Sequence, residues 1–174
     1  VSWRWVAPFA LVAAVSLIDD FRPLSAAIRL LAQTVAAVAA AALFVDTDWV
    51  RLAFAALAIV WMANLYNFMD GADGLAASMG VFGFGAYAAA AALAGTSQVN
   101  FAVLCAALAA ACAGFLVFNL PPARVFMGDV AAVALGFLAG VFGLHGLFAG
   151  TWPWWFPPLV FAPFILDATA TLIR

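Results

Sequence analysis

Three polar clusters interrupt an otherwise apolar chain: Asp19-Asp20, then Asn64-Leu-Tyr-Asn67-Phe-Met-Asp70-Gly-Ala-Asp73-Gly74, then Asn119-Leu-Pro-Pro-Ala-Arg-Val-Phe-Met-Gly128-Asp129. They hold five of the eight carboxylates in the sequence. Ionised groups are costly in hydrocarbon, so a membrane chain that keeps several of them points to a pathway, a relay or a reaction centre. Carboxylates and carboxamides with neither Cys nor His beside them form an oxygen-only donor set, which suits Mg²⁺ or Mn²⁺ and disfavours zinc. Mg²⁺ takes one or two protein carboxylates, keeps water and bridges to phosphates, so a nucleotide diphosphate fits such a set. Gly71, Gly74 and Gly128 stand next to the acids, where a missing side chain lets main-chain N–H groups approach a phosphate or base.

The elements that must position these clusters follow from composition. Seventy percent of the 174 residues are hydrophobic and 8% are charged, against roughly 25% charged in an average soluble domain. This is a membrane protein. It has no Lys and no Glu, and six Arg face eight Asp, so there is no basic footprint and nucleic-acid binding is set aside. A bilayer-crossing helix needs about 20 mostly apolar residues. Seven such segments are expected, at 3–18, 24–45, 50–69, 75–95, 99–118, 130–150 and 154–173, separated by turns rich in Asp, Gly and Pro. The expected fold is all-α, a polytopic transmembrane helical bundle of about seven spans, forming a single domain over 1–174. The chain starts without Met at Val1 and stops as an apolar segment ends, which reads as a piece of a longer protein. Ser2 to Ile18 lacks the small-residue cleavage pattern of a signal peptide.

Alternating crossings put the turns after the first, third and fifth segments on one membrane face, and all three clusters fall there. Arg22, Arg29, Arg124 and Arg174 belong to that face, against Arg4 and Arg51 on the other, so the positive-inside rule makes the cluster face cytoplasmic. Each piece also has a bland reading. Asp19-Asp20 followed by Pro23 suits an interfacial helix cap, and Asn64 and Asn67 suit a bond to a neighbouring helix. Cys105 and Cys112, two turns apart on one segment, read as packing residues, as does His145. Asp167 suits either a structural partner or a wall of the site and stays outside the candidate set.

The words themselves are more specific. Asp19-Asp20 with Pro23-Leu24 and Gln33, then Asn64-x-x-Asn67-Phe-Met-Asp70-Gly-x-Asp73-Gly74-Leu75, then Phe118-Asn119-x-Pro121-Pro122 through Phe126-Met127-Gly128-Asp129 with Leu135-Gly136-Phe137, resemble the polyprenyl-phosphate sugar-1-phosphate transferases. The resemblance covers nearly the whole chain in order. It implies Asp129 as main Mg²⁺ ligand, with Mn²⁺ as substitute, and Asn67 as co-ligand. It also implies Asp19 and Asp20 as the acidic pair beside metal and lipid phosphate, acting as base or positioning groups. Asp70 and Asp73 take the nucleotide side, Asn64, Gly74 and Asn119 serve substrate binding, and Phe126 stacks on uracil.

The implied reaction moves a sugar-1-phosphate from a UDP-sugar to a polyprenyl phosphate in the lipid bilayer and releases UMP. The implied location is the bacterial inner membrane, with the site on the cytoplasmic face and the product entering cell-wall or lipopolysaccharide synthesis. The Phe-Met-Asp-Gly-x-Asp-Gly and Asn-x-Pro-Pro-Ala words look more like the N-acetylglucosamine branch than the muramoyl-pentapeptide branch. Two departures stand out. Val130-Ala131-Ala132 replaces the Gly-Ser that often follows the metal-ligand Asp, and the His-rich loop of the family lies beyond Arg174.

Two other classes compete. The opening Asp70-x-x-Asp73-Gly74-x-x-Ala77 matches the CDP-alcohol phosphotransferase signature, but Ser78 stands where that signature needs Arg, and Tyr87 where it needs Gly. A membrane transporter or proton-conducting bundle needs acids near mid-membrane in repeated halves, whereas here they gather at one end and no repeat is visible.

Overall fold

The computed structural model describes residues 3–45 and 48–173. Asp46, in the second turn, and Arg174, counted above for the cluster face, lie outside the described residues. Eight α-helices and two short 3₁₀ turns account for the regular structure, with no strand among the described residues. In order these are α1 (Val6–Phe21), α2 (Ala26–Ala41), α3 (Trp49–Met69), α4 (Leu75–Leu93), α5 (Val99–Asn119), α6 (Gly128–Phe148), α7 (Phe156–Val160) and α8 (Ala162–Ile173). The chain is a polytopic helical membrane bundle, as its composition demands.

The helix limits have local causes. Pro23 restricts the residue before it, so α1 stops at Phe21 and Arg22 turns extended. Ser25 caps α2 by accepting the Ile28 N–H. Asp48 caps α3, its Oδ1 accepting from both Val50 and Arg51 main-chain N–H groups at 3.0 Å. Gly74, at φ 75°, supplies the left-handed residue that lets α4 start immediately after the second cluster.

Seven spans were expected, and among the described residues four stretches are long and apolar enough to cross alone: Trp49–Met69, Leu75–Leu93, Thr96–Asn119 and Gly128–Phe148. The helices α1 and α2 have 16 residues each, about 24 Å at the α-helical rise, short of the roughly 30 Å hydrocarbon core. The last expected span is broken into α7 and α8 at Phe161, just before Pro163, which removes a main-chain donor and crowds the carbonyl one turn back. Pro157 and Pro158 sit in the first turn of α7, where proline is tolerated.

Contacts divide the described chain into two compact units. The first contains Phe68–Phe126 and Gly146–Arg174, the second Ser2–Asn67 and Met127–His145. The boundaries fall inside α3 and α6. In the first unit α4 and α5 form an antiparallel pair, and the segment after α6 folds back on α4. There the Trp152 ring stacks on Tyr87 with centroids 4.7 Å apart, and Phe161 meets Tyr87 edge-on at 5.8 Å. Both cysteines are buried free thiols on α5, matching their reading as packing groups.

In the second unit α3 exposes many of its large apolar residues and buries a face that mixes alanines with larger side chains. Ala55, Ala56, Ile59, Met62 and Ala63 are buried, while Trp49, Val50, Phe54, Leu57 and Trp61 are exposed. A soluble helix would reverse this; here the outward face meets acyl chains as apolar as itself, and close approach of small residues drives the inner contact. His145 is half-buried against the Phe44 ring, centroids 6.0 Å apart, as its packing reading predicts.

That inner contact is set by two glycines four residues apart on α6. A Cβ on Gly136 would lie 2.5 Å from Met62 O and 2.7 Å from Ala63 Cα, and one on Gly140 2.9 Å from Ile59 Cα. Main chain meets main chain at both positions, so nothing flexible can give way. Gly136→Ala therefore destabilises the full-length protein by about 1–3 kcal/mol or more. Gly114→Ala on α5, where an added methyl meets nothing within 4 Å, is neutral or stabilises by up to about 1 kcal/mol. Thermal unfolding of the two variants in the same detergent checks the contrast.

Candidate functional site

A cavity of about 160 Å³ opens in the second unit, between residues of α1, α2, α3 and α6. Its polar lining falls into two rows. Asp19, Arg29, Asn67 and Asp129, nearer the helix ends, make the outer row. Ser16, Gln33 and Asn64, one turn further from those ends, make the inner one with Val133, and of these Ser16 and Gln33 are buried while Asn64 is exposed. Every inner residue is three or four positions from an outer residue of its own helix, one turn or about 5.4 Å away. On α1 and α3 the inner residue precedes the outer one, and on α2 and α6 it follows. That is the pattern of helices running in alternate directions.

Arg29 joins two of the helices electrostatically. Its Nη1 lies 3.1 Å from Asp19 Oδ2 and 3.3 Å from Asp129 Oδ2, so one nitrogen bridges carboxylates 110 positions apart in the chain. Asp19 is also held by the main chain, its Oδ1 accepting the Leu24 N–H at 2.6 Å across the corner between α1 and α2. The Asp19 side chain is 9% exposed and that of Asp129 35%. Asp129 sits in the first turn of α6, where the positive end of the helix dipole favours a carboxylate.

Asp20 differs from its neighbour. It is exposed, and a methyl group added at Gly128 would meet its Oδ2 at 3.5 Å, which places that carboxylate beside the start of α6. Two carboxylates share one guanidinium and a third stands beside the start of α6, and the excess negative charge attracts a cation. Among the described residues no group of three or more His, Cys, Asp or Glu could enclose a metal. The donors present are instead two carboxylates, Asp19 and Asp129, with the carboxamides of Asn64 and Asn67. That set fits Mg²⁺ or Mn²⁺, hard cations that accept one or two protein carboxylates and complete their shell with water and phosphate.

The remaining candidates belong to the first unit, where they build a braced turn. Asn119 is 3% exposed. Its Oδ1 accepts the Gly74 N–H at 3.0 Å and its Nδ2 donates to Val125 O at 2.9 Å. Asp73 Oδ2 accepts the Ala123 N–H at 2.9 Å, and Phe118 O takes the N–H of Arg124 at 2.9 Å. The turn after α5 is thereby tied to the turn after α3, with Phe126 leaving it 69% exposed. Asp70 is partly exposed at the end of α3. The second and third sequence clusters do meet here, and the groups that join them are Asn119 and Asp73.

Sequence reasoning placed Asp19, Asn64, Asn67 and Asp129 as candidates, and the fold brings these four to one cavity. It counted Arg29 only toward membrane orientation, noted Gln33 only as part of a motif, and passed over Ser16. The signal for the first two was their spacing. Arg29 and Gln33 are four apart, on one face of a helix whose other residues are nearly all Ala, Leu, Ile and Val.

Residues 2–147 match the family model described as Glycosyl transferase family 4. The phospho-N-acetylmuramoyl-pentapeptide-transferase of Chloroflexus aurantiacus is 37% identical over 120 residues, covering 69% of this chain and 31% of the relative. Proteins of the same name from Halalkalibacterium halodurans and Moorella thermoacetica are 42% and 45% identical over 97 and 96 residues, covering 56% and 55% of this chain and 29% of each relative. The chain spans about a third of the length of the curated relatives it matches. These relatives carry the name of the muramoyl-pentapeptide branch, whereas the motif words lean toward the N-acetylglucosamine branch.

The braced turn yields a stability test. Asn119→Leu keeps the volume but leaves the buried Gly74 N–H and the Val125 carbonyl without their partner, at a cost of about 1–3 kcal/mol per buried group. The expected result is a lower unfolding temperature together with faster protease cleavage between Leu120 and Met127, read by mass spectrometry on the full-length protein.

Proposed function

Since the chain belongs to glycosyl transferase family 4, the polyprenyl-phosphate sugar-1-phosphate transferases, we propose that it carries the membrane-embedded reaction centre of an enzyme that moves a sugar-1-phosphate from a UDP-sugar to a polyprenyl phosphate and releases UMP. The observation that carries this reading is the cavity where oxygen donors from α1, α3 and α6 surround Arg29.

In the proposed reaction an oxygen of the lipid phosphate attacks the phosphorus that bears the sugar. The bond from that phosphorus to the bridging oxygen breaks, and UMP departs with the electron pair. Two anions must be brought together, so charge and alignment are the main obstacles. Arg29 offers charge-assisted donors to phosphate oxygens in a partly buried site, where they act more strongly than in water. Asp129 and Asn67 would hold Mg²⁺ or Mn²⁺, which neutralises diphosphate charge and orients the reacting oxygens. Asp20, exposed beside the start of α6, takes the role of base or of a group that positions the lipid phosphate. Asp19, tied to Leu24 and Arg29, keeps the corner between α1 and α2 in place.

Asp70 and Asp73 serve the nucleotide side, with Gly74 and Asn119 shaping the turn that presents Phe126 for stacking on uracil. The sugar is an N-acetylated hexosamine, and the names of the relatives favour its muramoyl-pentapeptide form. The proposed setting is a bacterial inner membrane with the site at the cytoplasmic face, where the polyprenyl-diphosphate-sugar product feeds cell-envelope glycan synthesis.

Radiolabelled UDP-N-acetylglucosamine and UDP-N-acetylmuramoyl-pentapeptide, each supplied to the full-length chain in polyprenyl-phosphate micelles, test the reading. One of them yields labelled lipid and stoichiometric UMP. Asp129→Asn lowers this Mg²⁺-dependent release by about 100-fold while the protein stays monodisperse in detergent. Undiminished turnover removes Asp129 from the reaction centre, and no lipid-linked product from any UDP-sugar overturns the transferase reading.

A further inference from the structure

The inner row of the cavity contains two carboxamides whose orientation is dictated by one main-chain carbonyl. Asn64 Nδ2 lies 2.8 Å from Val60 O and 2.6 Å from Gln33 Oε1. A carbonyl oxygen can only accept, so the Asn64 atom beside Val60 has to be the nitrogen. Its second hydrogen then faces Gln33, which has to answer with its oxygen. The polarity of the whole chain of bonds follows: Asn64 is left with Oδ1, and Gln33 with Nε2, to offer a ligand in the cavity that both residues line.

The bond to Val60 comes from within α3 and leaves the amide plane free to swing about it. The grip from Gln33 comes from α2, and two anchors on different helices fix the plane. Gln33 is 7% exposed in a helix of small apolar residues, and burying a long carboxamide there is unfavourable unless its polar atoms are bonded. Asn64 stands one turn inward of Asn67 on the same helix, next to the outer row that the metal would occupy.

We propose that Gln33 is a positioning residue: by holding Asn64 Nδ2 from the neighbouring helix, it keeps the Asn64 oxygen, the atom suited to a divalent cation, as the one presented to the cavity. The identity of the ligand as a cation with its diphosphate rests on the transferase reading. The role of Gln33 is exerted through Asn64, so it disappears when Asn64 has no carboxamide to hold.

A double-mutant cycle on the full-length protein tests this, with the dissociation constant of Mn²⁺ read by electron paramagnetic resonance and kcat/KM for sugar-phosphate transfer read in parallel. Gln33→Met, close in volume and unable to hold the amide, weakens Mn²⁺ binding about tenfold and has no effect in an Asn64→Ala background. A loss of equal size in both backgrounds assigns Gln33 to packing or to direct ligand contact, and no loss in the first background removes it altogether; either overturns the proposal. Gln33→Glu, which keeps an acceptor for Asn64 Nδ2 and gives up the Nε2 donor, restores most of the kcat/KM lost in Gln33→Met; failure of that rescue in a folded protein also overturns it. The Mn²⁺ coupling without transfer from any UDP-sugar sinks the transferase reading and leaves the role of Gln33 standing, whereas transfer without the coupling does the reverse.

Discussion

The close approach of α6 to α3 governs where the chemistry of this protein can lie. Gly136 faces Ala63 and Gly140 faces Ile59, so the antiparallel register is set by main-chain contact rather than by interlocking side chains. Carried toward the start of α6, the same register brings Val133 to the level of Tyr66, and Asp129, one turn further on, lines the same cavity as Asn67. No lipid-derived hydrophobic force presses two apolar helices together, because acyl chains are equally good partners for their outer surfaces. Small residues permit the near contact, and here they are the glycines of α6, set against Ile59, Met62, Ala63 and Tyr66 of α3.

The second constraint is the cost of polar groups in a poorly hydrated setting. Most polar side chains of the cavity have a partner. Arg29 bridges Asp19 and Asp129, Asp19 also takes a main-chain N–H, and Gln33 and Asn64 answer one another. Paired in this way the groups are held in a geometry they would lose if any one partner were apolar. The acidic pair is accordingly asymmetric. Adjacent in sequence, Asp19 is anchored at a corner and Asp20 is exposed.

The first unit solves another problem, that of shaping a loop. Two turns far apart in the chain are joined by the carboxamide of Asn119 and the carboxylate of Asp73, each bonded to main chain. A loop so braced presents Phe126 from a defined position, which suits recognition of a flat base. Family membership and the cavity chemistry point in one direction. Both support the proposed reading of a membrane enzyme that handles phosphates with oxygen ligands and an arginine.

By itself the amino-acid sequence determined the membrane class, the positions of nearly all the helices and the clusters where polar chemistry would be found. Hydrophobic length, Gly and Pro breaks and the price of charge in lipid are local properties that can be read along a chain. Whether a segment was long enough to cross alone was less legible, since Pro23 and Pro163 shorten helices through geometry rather than composition. The pairing of Arg29 with two acids, the mutual hold of Gln33 and Asn64, and the use of Asn119 as a brace were decided only by the tertiary structure. Most of those contacts join residues 31 to 100 positions apart, on helix faces whose meeting no single stretch of the sequence contains.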